Sequence, residues 1–571
     1  MLFSQRKNNK YKLLQVIVLF AILSVFFVFP LMMTKSIYLG DDLPYHINRI
    51  QELKMNLKHG NWYPYLYTYR FHGVPFLLGT FYPQLTLLPF ALISLVTGNY
   101  VIGIYAGIAF YTFIAMLAMY YVSRKLDQSR TQAVINATVF SFSACRVYDI
   151  FPRFALGESI AMTFIVIVIY GLYAIMRQRK GWIALGFGLS LIMLTHVLST
   201  FLIVLILVVE FLVLIKGVKD WQNTFVNLIK SVILFFCSSA IYVVPFLSQE
   251  LFQKYGQPTP QNLVWGAQPL NQLFDNTVSN NLLNGYLLKT NQGMGIGIVL
   301  LIVIFWGIIK YSSLKNFEKA CLLSGLILTL MATQLFPWRI MMKTPLDVMQ
   351  YPTRFLPFAT AFLSLISGKA VLEMVGKLVG YKRQLAKLAL AMLLVIGPWL
   401  GSVETYKESM ASQSGFIAWG TYQHNRKYDG NSLKNDGWYW YLDQYTPTNA
   451  KKNMNMIFKH VAKVDGKRSK LANLKAIPNG MIYHDKILQN KRNITLPVVN
   501  YRNLEVFQHG KVIAHDDNHG LIHLKKTSKG SITVKHVPSL LDKGSMAISI
   551  ITWCGLIMFA GYYLLKRVMV R

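Results

Sequence analysis

The stretch LLQVIVLFAILSVFFVFPLMM, Leu13 to Met33, carries no charge over 21 residues. A helix rising ~1.5 Å per residue needs about 20 such residues to cross roughly 30 Å of hydrocarbon, so this stretch is long enough to span a bilayer. Arg6, Lys7, Lys10 and Lys12 precede it, which places the N-terminus in the cytoplasm by the positive-inside rule. A cleaved signal peptide has a shorter apolar run and a small-x-small site after it, so a retained span is expected. Comparable runs recur along the 571 residues, 54% of which are hydrophobic and 14% charged. The chain therefore reads as a polytopic membrane protein, mainly α.

The net charge of +34 is distributed as short basic clusters between apolar runs, which marks topology and argues against a nucleic-acid partner. The clusters are SRKLDQSR (Ser123 to Arg130), RQRKGW (Arg177 to Trp182), KGVKD (Lys216 to Asp220), KYSSLKNFEK (Lys310 to Lys319), GKLVGYKRQLAK (Gly376 to Lys387) and the terminal KRVMVR. Placing all six inside gives a bundle of about twelve spans with both termini cytoplasmic, provided that Phe81 to Val96 does not cross. That segment is short and holds two prolines, so it is expected to be an outer interfacial or re-entrant helix. The four cysteines, Cys145, Cys237, Cys321 and Cys554, lie in or beside apolar segments and build no disulfide framework, which suits a bacterial plasma-membrane protein.

The region from Gly401 to Gly544 is polar and free of any spanning segment, with 22 Lys and Arg against 11 Asp and Glu. Its first part, containing GWYWYLDQYTPTNA, has no clear period. The later stretches NITLPVV, NLEVFQHGKVIAHD, GLIHLKK and GSITVKHV alternate as strands do, with Gly510, Gly520 and Gly530 at turns. The expected organisation is a membrane domain over 1–402 with outer loops at 35–99 and 248–293, an extracytoplasmic domain over 403–545 with a β-sandwich-like second half, and a final span with a cytoplasmic tail over 546–571. Solvation is the default meaning of the domain's lysines, and binding an anionic wall polymer is the functional alternative.

This topology gathers ionisable residues on the outer side: Asp41, Asp42, His46 and Arg49; Arg146, Asp149, Arg153 and Glu158; His196; and Arg339, Asp347, Gln350 and Arg354. Structural roles compete for each. Asp41 or Asp42 can cap the helix LPYHINRIQELKMNLKHG, which has proline just inside its start. His46 shares a face with Asp42 and can simply pack. Arg153 and Glu158 can be an ion pair, His196 a cap, and outer arginines can reach lipid phosphates. Glu210 and Lys230 sit at similar depth in neighbouring spans and are expected to pair, because an unpaired charge there costs roughly 2.5–3.5 kcal/mol on insertion scales. No Walker loop, HExxH, CxxC or dinucleotide fingerprint occurs, and AHDDNHG at 514–520 reads as a strand turn rather than a metal site.

An apolar span, an outer loop opening with GDDLPYHINRI (Gly40 to Ile50) and a long outer loop between the seventh and eighth spans resemble the GT-C class of polyprenyl-phosphate-sugar-dependent glycosyltransferases. More narrowly, GDDLPYHINRI, NWYPYLYTYRFHGVPFLLGTFYPQL, RFALGESIAM, LTHVLS and MQYPTRFLPF look like bacterial membrane proteins labelled 6-pyruvoyl-tetrahydropterin-synthase-related. LPVVNYRNLEVFQHGKVI through the last span is similar to multi-spanning proteins implicated in glycosylating lipoteichoic acid. The resemblance implies an outer-face enzyme in which an aspartate of the first outer loop, Asp41 or Asp42, is general base on an acceptor hydroxyl. It implies a polyprenyl-phosphate sugar as donor and an extracytoplasmic glycan or wall polymer as acceptor. It does not fix the phosphate ligands; side and charge nominate Arg153, Arg339 and Arg354, with His46, Glu158 and His196 as further substrate-binding candidates. Some members of the class use a divalent metal near the acidic loop; the adjacent aspartates lack D-x-D spacing, so no metal ligands are assigned and metal dependence stays open. The rival function is a transporter or flippase of a lipid-linked precursor, which would place its polar site at the bilayer midplane.

Overall fold

The computed structural model describes residues 2–177, 180–256, 262–283, 293–379, 384–412, 416–419, 422–425, 427–428 and 444–569. Among these, eight helices are long and apolar enough to cross a membrane: Lys12–Met32, Tyr100–Lys125, Leu156–Met176, Val197–Gly217, Trp221–Glu250, Pro352–Gly376, Ala386–Met410 and Leu540–Tyr562. Four other segments expected to cross form shorter helices, Arg130–Ser141, Trp182–Met193, Ile298–Ile309 and Asn316–Met331. The Phe81 to Val96 stretch becomes a broken chain of short pieces ending in helix Leu88–Thr97, whose 10 residues reach only about 15 Å.

The helices pack through one apolar core in which Phe20, Phe27, Phe140, Ala161, Leu363 and Trp399 are fully covered. The expected Glu210 to Lys230 pair does not form. The Glu210 carboxylate accepts from the Ser324 hydroxyl on the Asn316–Met331 helix, while Lys230 stands exposed on its own helix. A hydroxyl on an adjacent helix meets the acid's hydrogen-bonding need, and a long lysine can run its stem toward the interface.

Before the last long helix stand two five-stranded antiparallel sheets. One runs Lys511–Ile513, Leu504–Gln508, Ile532–His536, Gly480–Tyr483, Leu474–Ile477; the other runs Asp516–Asn518, Leu521–Lys526, Arg492–Val499, Val461–Val464, Lys467–Lys470. Every strand quoted from the sequence is present, and Gly510, Gly520 and Gly530 turn with φ of +72°, +79° and +116°, which favour glycine. AHDDNHG supplies strand Asp516–Asn518 and its turn, where Asp517 accepts from the Gly520 amide at 2.8 Å. Among the described residues no group of three or more His, Cys, Asp or Glu is placed to hold a metal. The first half of GWYWYLDQYTPTNA, 437–443, and residues 257–261 and 284–292 of the long loop over 248–293 lie outside the described residues.

The sheets are seated on the loop between helices Leu43–Lys58 and Leu88–Thr97. Their core is continuous with Tyr63, Tyr65, Tyr67, Phe71 and Phe76, and with Ile241 to Val243 of a long helix. Asn479 Oδ1 accepts from the amides of Tyr65 and Leu66 at 2.8 and 3.1 Å, and the Tyr65 ring stacks on His536 at 4.9 Å. On the loop's other side, buried Glu52 accepts from the amides of Thr68, Tyr69 and Arg70 at 2.7–2.9 Å. The loop is thus held between helix Leu43–Lys58 and the β-domain.

Candidate functional site

Helix Leu43–Lys58 starts where the sequence places it, with Pro44 in its first turn and Asp42 at the cap position. The Asp42 side chain makes no capping hydrogen bond, however, so the expected capping role is met by the backbone alone: the His46 amide donates to the Asp42 carbonyl at 3.0 Å. The Asp42 amide donates to the Arg153 carbonyl at 2.9 Å, joining the loop after the first long helix to the one that precedes helix Leu156–Met176. Gly40 permits this approach, because a Cβ there would lie 2.8 Å from the Phe154 Cβ and 2.9 Å from the Phe151 carbonyl oxygen. Asp41 and Asp42 are both partly exposed. Burial raises the Asp42 pKa above the ordinary carboxylate value; Arg153 and Arg354 pull it back, and Glu158 adds to the rise.

Arg153 donates to Asp149 at 2.6 Å and to Glu158 at 3.0 Å, and Arg354 Nε lies 3.6 Å from the same Glu158 oxygen. Asp149 is fully buried, and burial together with the Glu158 charge pushes its pKa up to about 8 against the pull of Arg153. Burial opposes the charge on Arg153, but Glu158, Asp149, Asp42 and Asp41 outweigh it and hold its pKa above the usual range. Arg354 donates from Nη1 to the Met349 carbonyl at 2.8 Å and to Gln350 Oε1 at 3.1 Å, while its buried Nε has no hydrogen-bond partner.

His46, Arg49, Tyr82 and His196 form the adjoining wall. His46 is buried, and its Nδ1 lies 3.3 Å from Arg49 Nη1; guanidinium can only donate, so Nδ1 accepts and the ring is neutral. Burial, then Arg49 and His196, lower its pKa well below the ordinary value. His196 caps the helix that begins at Val197, its Nδ1 accepting from the Ser199 amide at 3.3 Å and lying 2.8 Å from the Ser199 hydroxyl. Burial brings its pKa down to about 4. Arg49 is buried over the Tyr82 ring at 4.0 Å and donates to the Pro83 carbonyl at 2.5 Å, with no carboxylate partner among the described residues. Gly157 leaves room for the Tyr82 hydroxyl, and a Cβ there would sit 3.1 Å from His196 Cδ2.

Of the nominated residues, Asp42, Arg153, Glu158 and Arg354 come together, with Asp41 close enough for its charge to act on Arg153 and with His46 and His196 alongside. Arg339 does not join them through any ion pair: it is exposed on the short helix Trp338–Met341. An arginine of a surface helix turn carries the same charge in sequence as one that turns inward, so side and charge alone did not separate Arg339 from Arg354. In the sequence Asp149 and Arg49 stand out only as loop charges, and nothing singles out Tyr82. The Asp149 to Arg153 spacing of four, one helical turn, was the available signal.

These features define a polytopic helical membrane protein with an ionised cluster where the loop after its first long helix meets the loop that precedes helix Leu156–Met176. Residues 79–405, more than half of the chain, match the family model of the 6-pyruvoyl-tetrahydropterin synthase related domain, a membrane protein, and the chain belongs to that family. No curated protein matches it by sequence. Among solved structures it is similar to the arabinofuranosyltransferase AftD from Mycobacteria, with a TM-score of 0.42 and 11% identity over 71% of this chain; the match spans only 28% of AftD. It is also similar to ArnT from Cupriavidus metallidurans bound to undecaprenyl phosphate, with a TM-score of 0.35 and 12% identity over 68% of this chain and 69% of that one.

Proposed function

We propose that this protein is a glycosyltransferase of the bacterial plasma membrane that moves a sugar from a polyprenyl phosphate to an extracytoplasmic acceptor, a teichoic acid or another cell-envelope glycan. The observation that carries this is the Asp42 carboxylate, which stands at a helix start without capping it and beside Arg153 and Arg354. A carboxylate left out of capping and raised by burial is a stronger base, and a nearby guanidinium is shaped to hold a phosphate. The GT-C resemblance of the loop motifs supports the same assignment.

In the proposed reaction the acceptor hydroxyl attacks the anomeric carbon and Asp42 takes its proton. The carbon to phosphate-oxygen bond breaks, and the electron pair leaves with the polyprenyl phosphate. Arg354, whose Nε lies 3.6 Å from Glu158 but makes no hydrogen bond, is the better phosphate ligand; Arg153, already bonded to two carboxylates, holds Glu158 and Asp149 in place. The test is sugar transfer from a labelled polyprenyl-phosphate sugar by the purified full chain, with Asp42→Asn and Asp41→Asn compared. Loss confined to Asp42→Asn is expected. Full activity in both single variants and in the double variant would overturn the base, and transbilayer movement of the lipid-linked sugar without transfer would establish the transporter instead.

A further inference from the structure

Four of the basic loops singled out in the sequence converge on a cavity of about 700 Å³. Arg177, Lys219, Lys315 and Lys369 bring four positive charges to its lining, against Asp127 and Glu318. Glu318 is already engaged: it pairs with Lys369 at 2.7 Å and accepts from the Lys315 amide at 2.9 Å. Among the described residues no carboxylate pairs with Arg177, Lys219 or Lys315.

The position is as informative as the charge. Arg177 ends the helix that has Glu158 in its first turn, and the 19 residue steps from one to the other amount to about 28 Å at ~1.5 Å per residue. The cavity therefore lies at the opposite end of the membrane bundle from the Asp42 cluster, on the face the basic loops assign to the cytoplasm. Its charged rim adjoins an apolar wall of Leu126, Leu214 and Ile366. Arg177 is also held in position: its guanidinium lies over Tyr173 at 5.8 Å and against Gly217, where a Cβ would come 2.9 Å from Nη2.

We propose that this cavity binds the phosphate-bearing headgroup of an anionic membrane lipid, with Arg177, Lys219 and Lys315 facing the phosphate and Leu126, Leu214 and Ile366 lying along the start of its chains. An excess of cations calls for an anion, and the adjoining apolar wall at the depth of a membrane interface calls for an amphiphile. The site does not depend on the glycosyl-transfer reaction.

Native mass spectrometry of the full chain in neutral detergent tests this, titrating phosphatidylglycerol, phosphatidylcholine and, separately, inorganic pyrophosphate. One phosphatidylglycerol should bind at least about five-fold more tightly than phosphatidylcholine, and the combined variant Arg177→Gln, Lys219→Gln, Lys315→Gln should erase that difference. None of these substitutions breaks an ion pair among the described residues, and an unchanged melting temperature would show the variant folded. Lys216→Gln, on the same loop but outside the cavity, should bind as the unaltered protein does. Equal binding by the combined variant, or an equal loss in Lys216→Gln, would overturn the site in favour of diffuse surface charge. Cavity-dependent binding of pyrophosphate without phosphatidylglycerol would overturn the lipid in favour of a soluble phosphate.

Discussion

The amide of Asp42 donates to the carbonyl of Arg153, so two loops separated by six α-helices meet through their backbones. The consequence is that changing either side chain leaves the junction bonded, whereas Gly40 controls whether the loops can approach. Gly40→Ala places a methyl 2.8–3.0 Å from Phe154 Cβ and two backbone oxygens. Backbone cannot yield as a side-chain tip can, so a loss of about 1–3 kcal/mol is expected, by analogy with overpacked cores. Thermal unfolding in detergent measures it, and transfer activity should fall with it. A variant as stable and as active as the unaltered protein would show that the junction tolerates separation.

Arg153 is the hub of a buried ion network, and its removal leaves Asp149 and Glu158 without their shared donor. Breaking a buried pair from one side costs about 3–5 kcal/mol, so Arg153→Gln should be among the most damaging substitutions in the loop. Protonation relieves the repulsion left behind, and the Asp149 pKa already stands at about 8 with the arginine present. The deficit should therefore shrink as pH falls from 9 to 6. A deficit that stays constant over that range would mean the carboxylates do not feel each other.

Elements with a strong period or an unambiguous signal were legible in the sequence. The long apolar helices and the strands around Gly510, Gly520 and Gly530 are examples, because burial on one face and a turn that needs positive φ both leave marks in the residues. The strands between Val461 and Tyr483 were not anticipated: they are four residues long, and Lys467–Lys470 is largely exposed, so little alternation remains to be read. The acidic pair drew notice to the loop that meets Arg153, but the arginines could not be sorted, since Arg354 lies beside Glu158 and Arg339 is exposed on a short helix, and neither side nor charge discloses that. Nor could spacing disclose that Glu210 would be satisfied by Ser324, a residue 114 positions away.

His196 gives the site a pH limit. Its Nδ1 accepts from a backbone amide, so the ring must stay neutral to keep the cap, and burial lowers its pKa from an ordinary 6.5 to about 4. Above about 6.5 neither the folded nor the unfolded chain protonates it and stability is intact. Between about 6.5 and 4 the unfolded state binds the proton first, and up to about 3 kcal/mol is lost as pH falls. His196→Asn keeps a cap acceptor without titrating and should flatten the melting temperature over that interval. An unchanged slope would assign the acid sensitivity to other groups.

The β-domain should matter to the site through one asparagine. Asn479 sits at φ +57°, a conformation asparagine tolerates better than alanine, and its Oδ1 accepts the amides of Tyr65 and Leu66. Those residues belong to the loop whose Tyr67 bonds Gln84 at 3.0 Å, next to the Pro83 carbonyl that holds Arg49. Asn479→Gly keeps the backbone geometry and removes the acceptor, at about 1–3 kcal/mol for each amide left unmet, while Asn479→Ala adds roughly 1–2 kcal/mol for the left-handed residue. Hydrogen exchange should quicken at Tyr65 and Leu66 in both variants, and sugar transfer should fall in step with that exchange. Faster exchange with undiminished transfer would mean that the β-domain clamps the loop without supporting the chemistry beneath it.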